Sequence, residues 1–301
     1  MGLFRLRWHR SKYLLLLFLP ALVYYVLFKY VPMFGILISF KDYNPFQGVW
    51  QSEWVGLKHY ALFFNSPDSF KLIKNTILLG VYKLVFSFPA PVILALLLNE
   101  VRVGMVKKLA QTISYLPHFI SNVVVVSMMF LFLSPTGGIV NQVIEWLGYA
   151  SVNFMQDENY FRSLYIISEI WQHVGWDTII YLAALSAIDP QLYEASTVDG
   201  ANRWHQLLHV TLPGIAPAIV TLLILNVGHV LDIGFEKVLL MQNPSIYSTA
   251  DVLSTYVFRT GIQAMNYSYG TAIDLFTSVI NLMFIFTANW ISRRTSGTSL
   301  W

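Results

Sequence analysis

The chain reads as an all-α integral membrane protein of six spans, and three observations predict it. Of its 301 residues 56% are hydrophobic and 12% charged, about half the charge of an ordinary soluble domain. A large water-facing surface cannot be built from that composition. Six stretches hold about 20 predominantly apolar residues, the length a bilayer core requires. Lysines and arginines gather in alternate connecting segments, as a fixed orientation across a membrane demands. The net charge of +3 is small and scattered, which argues against a nucleic-acid partner. With no cysteine there is no disulfide scaffold, thiolate metal site or cysteine nucleophile.

The first predicted span covers residues 13–38, with Lys29 and Pro32 in its outer part; Lys29 snorkels or sits at the outer interface. The others cover 76–98, 113–133, 164–187, 214–234 and 271–291. One transmembrane domain, 13–292, thus follows a short N-terminal segment, 1–12, and precedes a tail, 293–301. With the N-terminus inside, Arg5, Arg7, Arg10, Lys12, Arg102, Lys107, Lys108, Arg203, Arg293 and Arg294 fall in short cytoplasmic segments, ten of nineteen basic residues. An even number of spans returns the C-terminus to the cytoplasm. Basic residues ahead of an apolar run resemble a signal peptide, but no small-x-small site follows, so the run reads as a retained anchor.

Catalytic signatures are missing. No lysine precedes a serine or threonine, so there is no Walker A loop, and there is no G-x-S-x-G, H-E-x-x-H or G-x-G-x-x-G. The seven histidines show no metal-ligand spacing; His205 and His209, four apart, read as polar positions of an interfacial helix. No catalytic or metal residue is assigned, no cofactor is expected on this chain, and any driven work draws its energy from elsewhere.

The segment 189–213 is too polar to cross a membrane and too patterned for a slack loop. Asp189-Pro190 is a helix-starting pair. It predicts a helix from Gln191 to about Val198, a tight turn at Asp199-Gly200-Ala201-Asn202, and a second short helix from Arg203 to about Val210, ending before Pro213. Two short helices about a glycine turn form a protrusion fit for a groove on a cytoplasmic partner.

Glu194-Ala195-Ser196, Gly200 six residues after Glu194, and Val210-Thr211-Leu212-Pro213 resemble the EAA loop of ABC-importer permeases, with Ser196 standing where that family has a second alanine. Val198-Asp199-Gly200-Ala201-Asn202-Arg203-Trp204 resembles the carbohydrate branch. Phe28–Gly35, Phe40–Phe46, Asn75-Thr76, Ala95–Asn99, Gly234–Lys237 and Met241–Pro244 resemble permeases for complex-polysaccharide fragments. The resemblance implies the type I importer fold with a cytoplasmic coupling helix, and a chain that forms half of a pore. A second, homologous permease would complete the pore. Two ATPase subunits holding ATP and Mg would drive it, and an extracytoplasmic sugar-binding protein would load it. In the loop, Glu194, Ala195, Ser196, Asp199, Gly200, Ala201, Leu212 and Pro213 would couple to the ATPase.

Two polar stripes mark a candidate substrate path. Glu169, Gln172, His173, Trp176 and Asp177 share one face of the fourth span. Asn226, His229, Asp232 and Glu236 recur at intervals of three, three and four from the fifth span outward. Sugars stack on aromatic rings and need fixed polar partners; the plain alternative is that these groups tie helices together. Lys83, the lone charge in the second span, reads as an interhelix partner. The acids weigh against a densely anionic ligand, whereas the resembling branch includes carriers of acidic plant and algal fragments, and the residues leave that choice open. Two competing classes are a secondary transporter using these acids for ion coupling, which leaves segment 189–213 unexplained, and an intramembrane enzyme built on Glu169, His173 and Asp177.

Overall fold

The computed structural model describes residues 2–295, 297 and 299–300, with side chains from Tyr13 onward. The side chains of Arg5, Arg7, Arg10 and Lys12, and residues 296, 298 and 301 of the tail, lie outside the described residues. The chain divides into two units, Met1–Ser66 with Val257–Phe276, and Pro67–Tyr256 with Thr277–Trp301.

In the first unit an α-helix runs from Gly2 to Tyr25 and continues through a π turn, Val26–Tyr30, and a 3-10 stretch, Phe34–Phe40. The 28 residues Tyr13–Phe40 are long and apolar enough to cross a bilayer, and the helix starts before the predicted span. Departing from the all-α expectation, a small antiparallel ribbon pairs Lys41 with Trp54 and Asp42 with Glu53. Lys41 pins its loop by donating to the carbonyls of Val49, Trp50 and Ser52, and Trp54 stacks on Phe40 at 5.8 Å.

The second unit is organised around the 26-residue helix Phe161–Ser186. At 1.5 Å per residue it is about 39 Å long, enough for a hydrocarbon core of about 30 Å. Its polar residues keep it out of the strongly apolar set, which comprises Tyr13–Phe40, Ser69–Glu100, Arg203–Gly228 and Tyr267–Thr295. It packs against Pro89–Glu100, Gly104–Tyr115 and Leu212–Gly228. Gly175 makes one of these approaches feasible, because a Cβ there would stand 2.0 Å from the carbonyl oxygen of Ser114. One apolar cluster gathers Leu79, Phe161, Tyr165, Val238 and Met241; another gathers Val92, Ala95, Tyr181, Leu185 and Ile215.

Three predicted spans differ in shape. The second begins earlier, at Ser69, and carries a π turn at Lys83–Ser87 that leads into Pro89, whose missing N–H removes a helical bond. The third, expected over 113–133, is not one helix. The helical run Gly104–Phe119 meets Asn122–Phe132 at 98°. Pro117 lies in a 3-10 turn, Ile120 is extended, and Ser121 caps the new helix by accepting from Val124 N. The fifth starts early, since the Arg203 helix does not stop before Pro213. It passes through a π turn, Leu207–Thr211, into Leu212–Gly228, where Pro213 occupies the first turn and loses little. It ends at Gly228, so residues 229–234 of the predicted span leave the helix.

The candidate coupling loop and translocation path

In segment 189–213 each turn of the chain has a local cause. Asp189 caps the helix Pro190–Val198 by accepting from Gln191 N at 2.9 Å. The helix closes at Gly200 with φ +80°. Gly200 N donates to Thr197 O and Ala201 N to Ser196 O, a Schellman closure that favours glycine at this position. Asn202 then caps the next helix through His205 N. Side chains brace the two arms, with Gln206 Nε2 donating to Ser196 Oγ at 3.1 Å and Thr197 Oγ1 at 2.9 Å, and Tyr193 bonding Thr211 at 3.0 Å. Ser196, the departure from the family's alanine, is therefore half-buried and bonded to the second arm.

The outer face is left open. Glu194, Ala195, Asp199 and Gly200 are exposed, Val198 is 88% exposed, and the helix buries no residue. Ala201 and Leu212 are half-buried and Pro213 is exposed. Arg203 meets Glu100 at 2.6 Å, an exposed pair worth under about 1 kcal/mol. The loop is a braced helix and turn with a solvent-facing surface.

The first polar stripe divides by burial. Glu169 and Gln172 point inward and belong to the packing. Lys237 Nζ donates to Glu169 Oε1 at 2.5 Å, with Lys237 1% exposed, and Lys83 Nζ lies 3.9 Å from Oε2. Gln172 Nε2 donates to Ile120 O at 2.8 Å, tying the helix to the bend after Pro117. His173, Trp176 and Asp177 open outward. His118, delivered by the same bend, stacks on Trp176 with ring centroids 4.5 Å apart and planes 2° apart, and Phe119 meets Trp176 edge-on at 5.5 Å. His118 Nδ1 and His173 Nδ1 are 3.2 Å apart, so one donates and the other accepts. Trp176 is 42% exposed and Asp177 is exposed, leaving an aromatic plate with polar edges.

The second stripe does not exist as one helical face, because the helix ends at Gly228. Asn226 bonds the carbonyl of Leu222 in its own helix. His229 and Asp232 pair at 2.8 Å, Asn281 donates to Asp232 and accepts from Leu231 N, and Asn122 donates to Glu236 at 2.7 Å. Every acid of this stripe thus holds another element of the same unit. Lys237 and His118 are the site residues that spacing within one span does not reveal; the Pro117 break and the Ser121 cap were the available signals for His118.

With fold and site in view, comparison with known proteins is decisive. Residues 87–297 match the model of the binding-protein-dependent transport system inner membrane component family, and the chain belongs to that family. It is 48% identical over 285 residues to the polygalacturonan/rhamnogalacturonan transport system permease protein YteP of Bacillus subtilis (strain 168), covering 95% of this chain and 89% of that protein. It is 47% identical over 285 residues to protein LplB of the same organism, covering 95% and 90%. Among solved structures it superposes on a chain of a bacterial alginate ABC transporter in complex with an alginate pentasaccharide-bound periplasmic protein, with TM-score 0.90, 41% identity and 98% of both chains covered. The fold is that of type I importer permeases, and the chain is a multi-pass membrane subunit of an ABC transporter.

Proposed function

We propose that this chain is half of the translocation pore of an ATP-driven importer for acidic oligosaccharides. A second homologous permease completes the pore, two ATPase subunits bind the ATP and Mg, and an extracytoplasmic binding protein delivers the sugar. The chain itself carries no cofactor. It crosses the bacterial cell membrane six times, near 13–38, 76–98, 113–133, 164–187, 214–234 and 271–291, with both termini in the cytoplasm. The Phe161–Ser186 helix is one of the spans, and the bent pair makes another.

The observation that carries the reading is the braced, solvent-facing helix Pro190–Val198 with its glycine turn. An exposed element held this firmly by internal hydrogen bonds suits a partner's groove, and Glu194, Ala195, Ser196, Asp199, Gly200, Ala201, Leu212 and Pro213 couple it to the ATPase. Closure of the ATPases would draw two such helices together and open the cavity outward, a switch between two states without covalent chemistry. Trp176 with His118, His173 and Asp177 supplies the sugar-stacking surface, while Glu169, Gln172, Asn226, His229, Asp232 and Glu236 hold the walls of the path.

Acidic sugars are supported by the polygalacturonan and alginate systems named above and by the state of the acids. Glu169 is compensated by Lys237, which removes the repulsion its sequence position implies. The same pairing counts against ion coupling through Glu169. The test is uptake of labelled uronate oligosaccharide into proteoliposomes holding the assembled transporter. Uptake requiring ATP, the ATPase and the binding protein is expected; uptake by this chain alone, driven by a proton gradient, would contradict it.

A further inference from the structure

Glu169 is approached by two ammonium groups and is satisfied by one. The Lys237 contact is short and buried. Lys83 Nζ, at 3.9 Å from Oε2, is beyond hydrogen-bond reach, its side chain is 38% exposed, and among the described residues it makes no hydrogen bond. It is the first residue of the π turn Lys83–Ser87, an irregularity of a kind frequent at functional positions in helices. That turn packs on the Phe161–Ser186 helix, and the charge of Lys83 acts on Asp177 as well as on Glu169. A partly exposed lysine in a membrane segment is costly against lipid and belongs beside a cavity or a partner.

We propose that Lys83 is the specificity residue that receives the carboxylate of an acidic sugar unit as it passes the pore. The proposal rests on the acidic-oligosaccharide reading above. Among the described residues the three N–H donors of Lys83 Nζ make no hydrogen bond, their ion pair being the 3.9 Å approach to Glu169 Oε2. Lys237 is consumed by its buried bond to Glu169, whereas Lys83 keeps a partly exposed ammonium whose hydrogen bonds a uronate carboxylate can supply. Glu169 at 3.9 Å partly offsets that charge, so the contact attracts substrate without trapping it, as conduction through a pore requires. The Trp176–His118 plate, about two helical turns from Glu169 along the same helix, supports the sugar ring.

The test uses the complete transporter with its binding protein in proteoliposomes and labelled tri-galacturonate as probe. Lys83→Gln is expected to lower uptake about tenfold, the order lost with a charge-assisted hydrogen bond. Lys83→Arg should restore most of it. Assembly, thermal unfolding temperature and ATPase stimulation by the loaded binding protein should match wild type in both variants. Wild-type uptake rates in Lys83→Gln would overturn the proposal. So would a lowered unfolding temperature or failed assembly, which would make Lys83 a structural partner of Glu169. A wild-type transporter that carries neutral oligosaccharides and no tri-galacturonate would instead sink the acidic-sugar reading, and Lys83 with it.

Discussion

Glu169 and Trp176 lie seven residues apart on one helix and do different work. Glu169 sits beside a lysine that is 1% exposed, so removing its charge strands that ammonium in a dry site. Breaking such a pair costs about 3–5 kcal/mol, whereas replacing both partners with apolar residues of similar volume is often neutral. Glu169→Gln should therefore lower the thermal stability of the purified transporter by that order, and Glu169→Leu with Lys237→Met should recover most of it. A double variant as unstable as the single would contradict the packing role. Trp176 is exposed beside His118, so Trp176→Ala should leave stability within about 1 kcal/mol while reducing sugar uptake at least several-fold. Unchanged uptake would remove the aromatic plate from the path. Helical spacing identified the face these residues share, but it carries no information on which positions meet a lysine 68 residues away in sequence.

Elements were legible where their cause is local. Asp189, Pro190, Gly200 and Asn202 act within a few residues of themselves, and the helix, turn and second helix they predict are all present. The continuation past Pro213 was missed because proline in a first helical turn reads equally as a stop or a start. The bend in the third span was missed because the largely apolar run Asn122–Phe132 hides a break set just before it by Pro117 and Ser121. Two consequences belong to this scale. Ser196→Ala removes one of the two hydroxyl acceptors of Gln206 and should cost about 1 kcal/mol, with ATPase coupling preserved, measured as ATP hydrolysis stimulated by the binding protein. Gly175→Leu places a side chain into the Ser114 backbone and should abolish assembly; a normally assembled variant would contradict the observed helix approach.

Across the whole molecule, composition established the membrane class and the EAA-like loop the kind of machine, because both depend on residue types rather than on distant contacts. The polarity of the path stayed open in the sequence for the opposite reason: its acids can be counted, while Lys237, outside the predicted spans, supplies a compensating charge to Glu169. The central claim is that segment 189–213 delivers the work of a separate ATPase to this pore. Its most direct test is co-purification from native membranes after mild solubilisation, comparing wild type with Gly200→Pro. Proline cannot adopt φ +80° and removes the N–H that bonds Thr197 O, yet Gly200 stands in open space with nothing within 4 Å of its Cβ direction, so the damage stays local. Wild type should bring down a second permease and an ATPase, and Gly200→Pro should keep the permease and lose the ATPase. A variant that retains the ATPase, or a wild-type chain that purifies alone and still transports, would contradict the account.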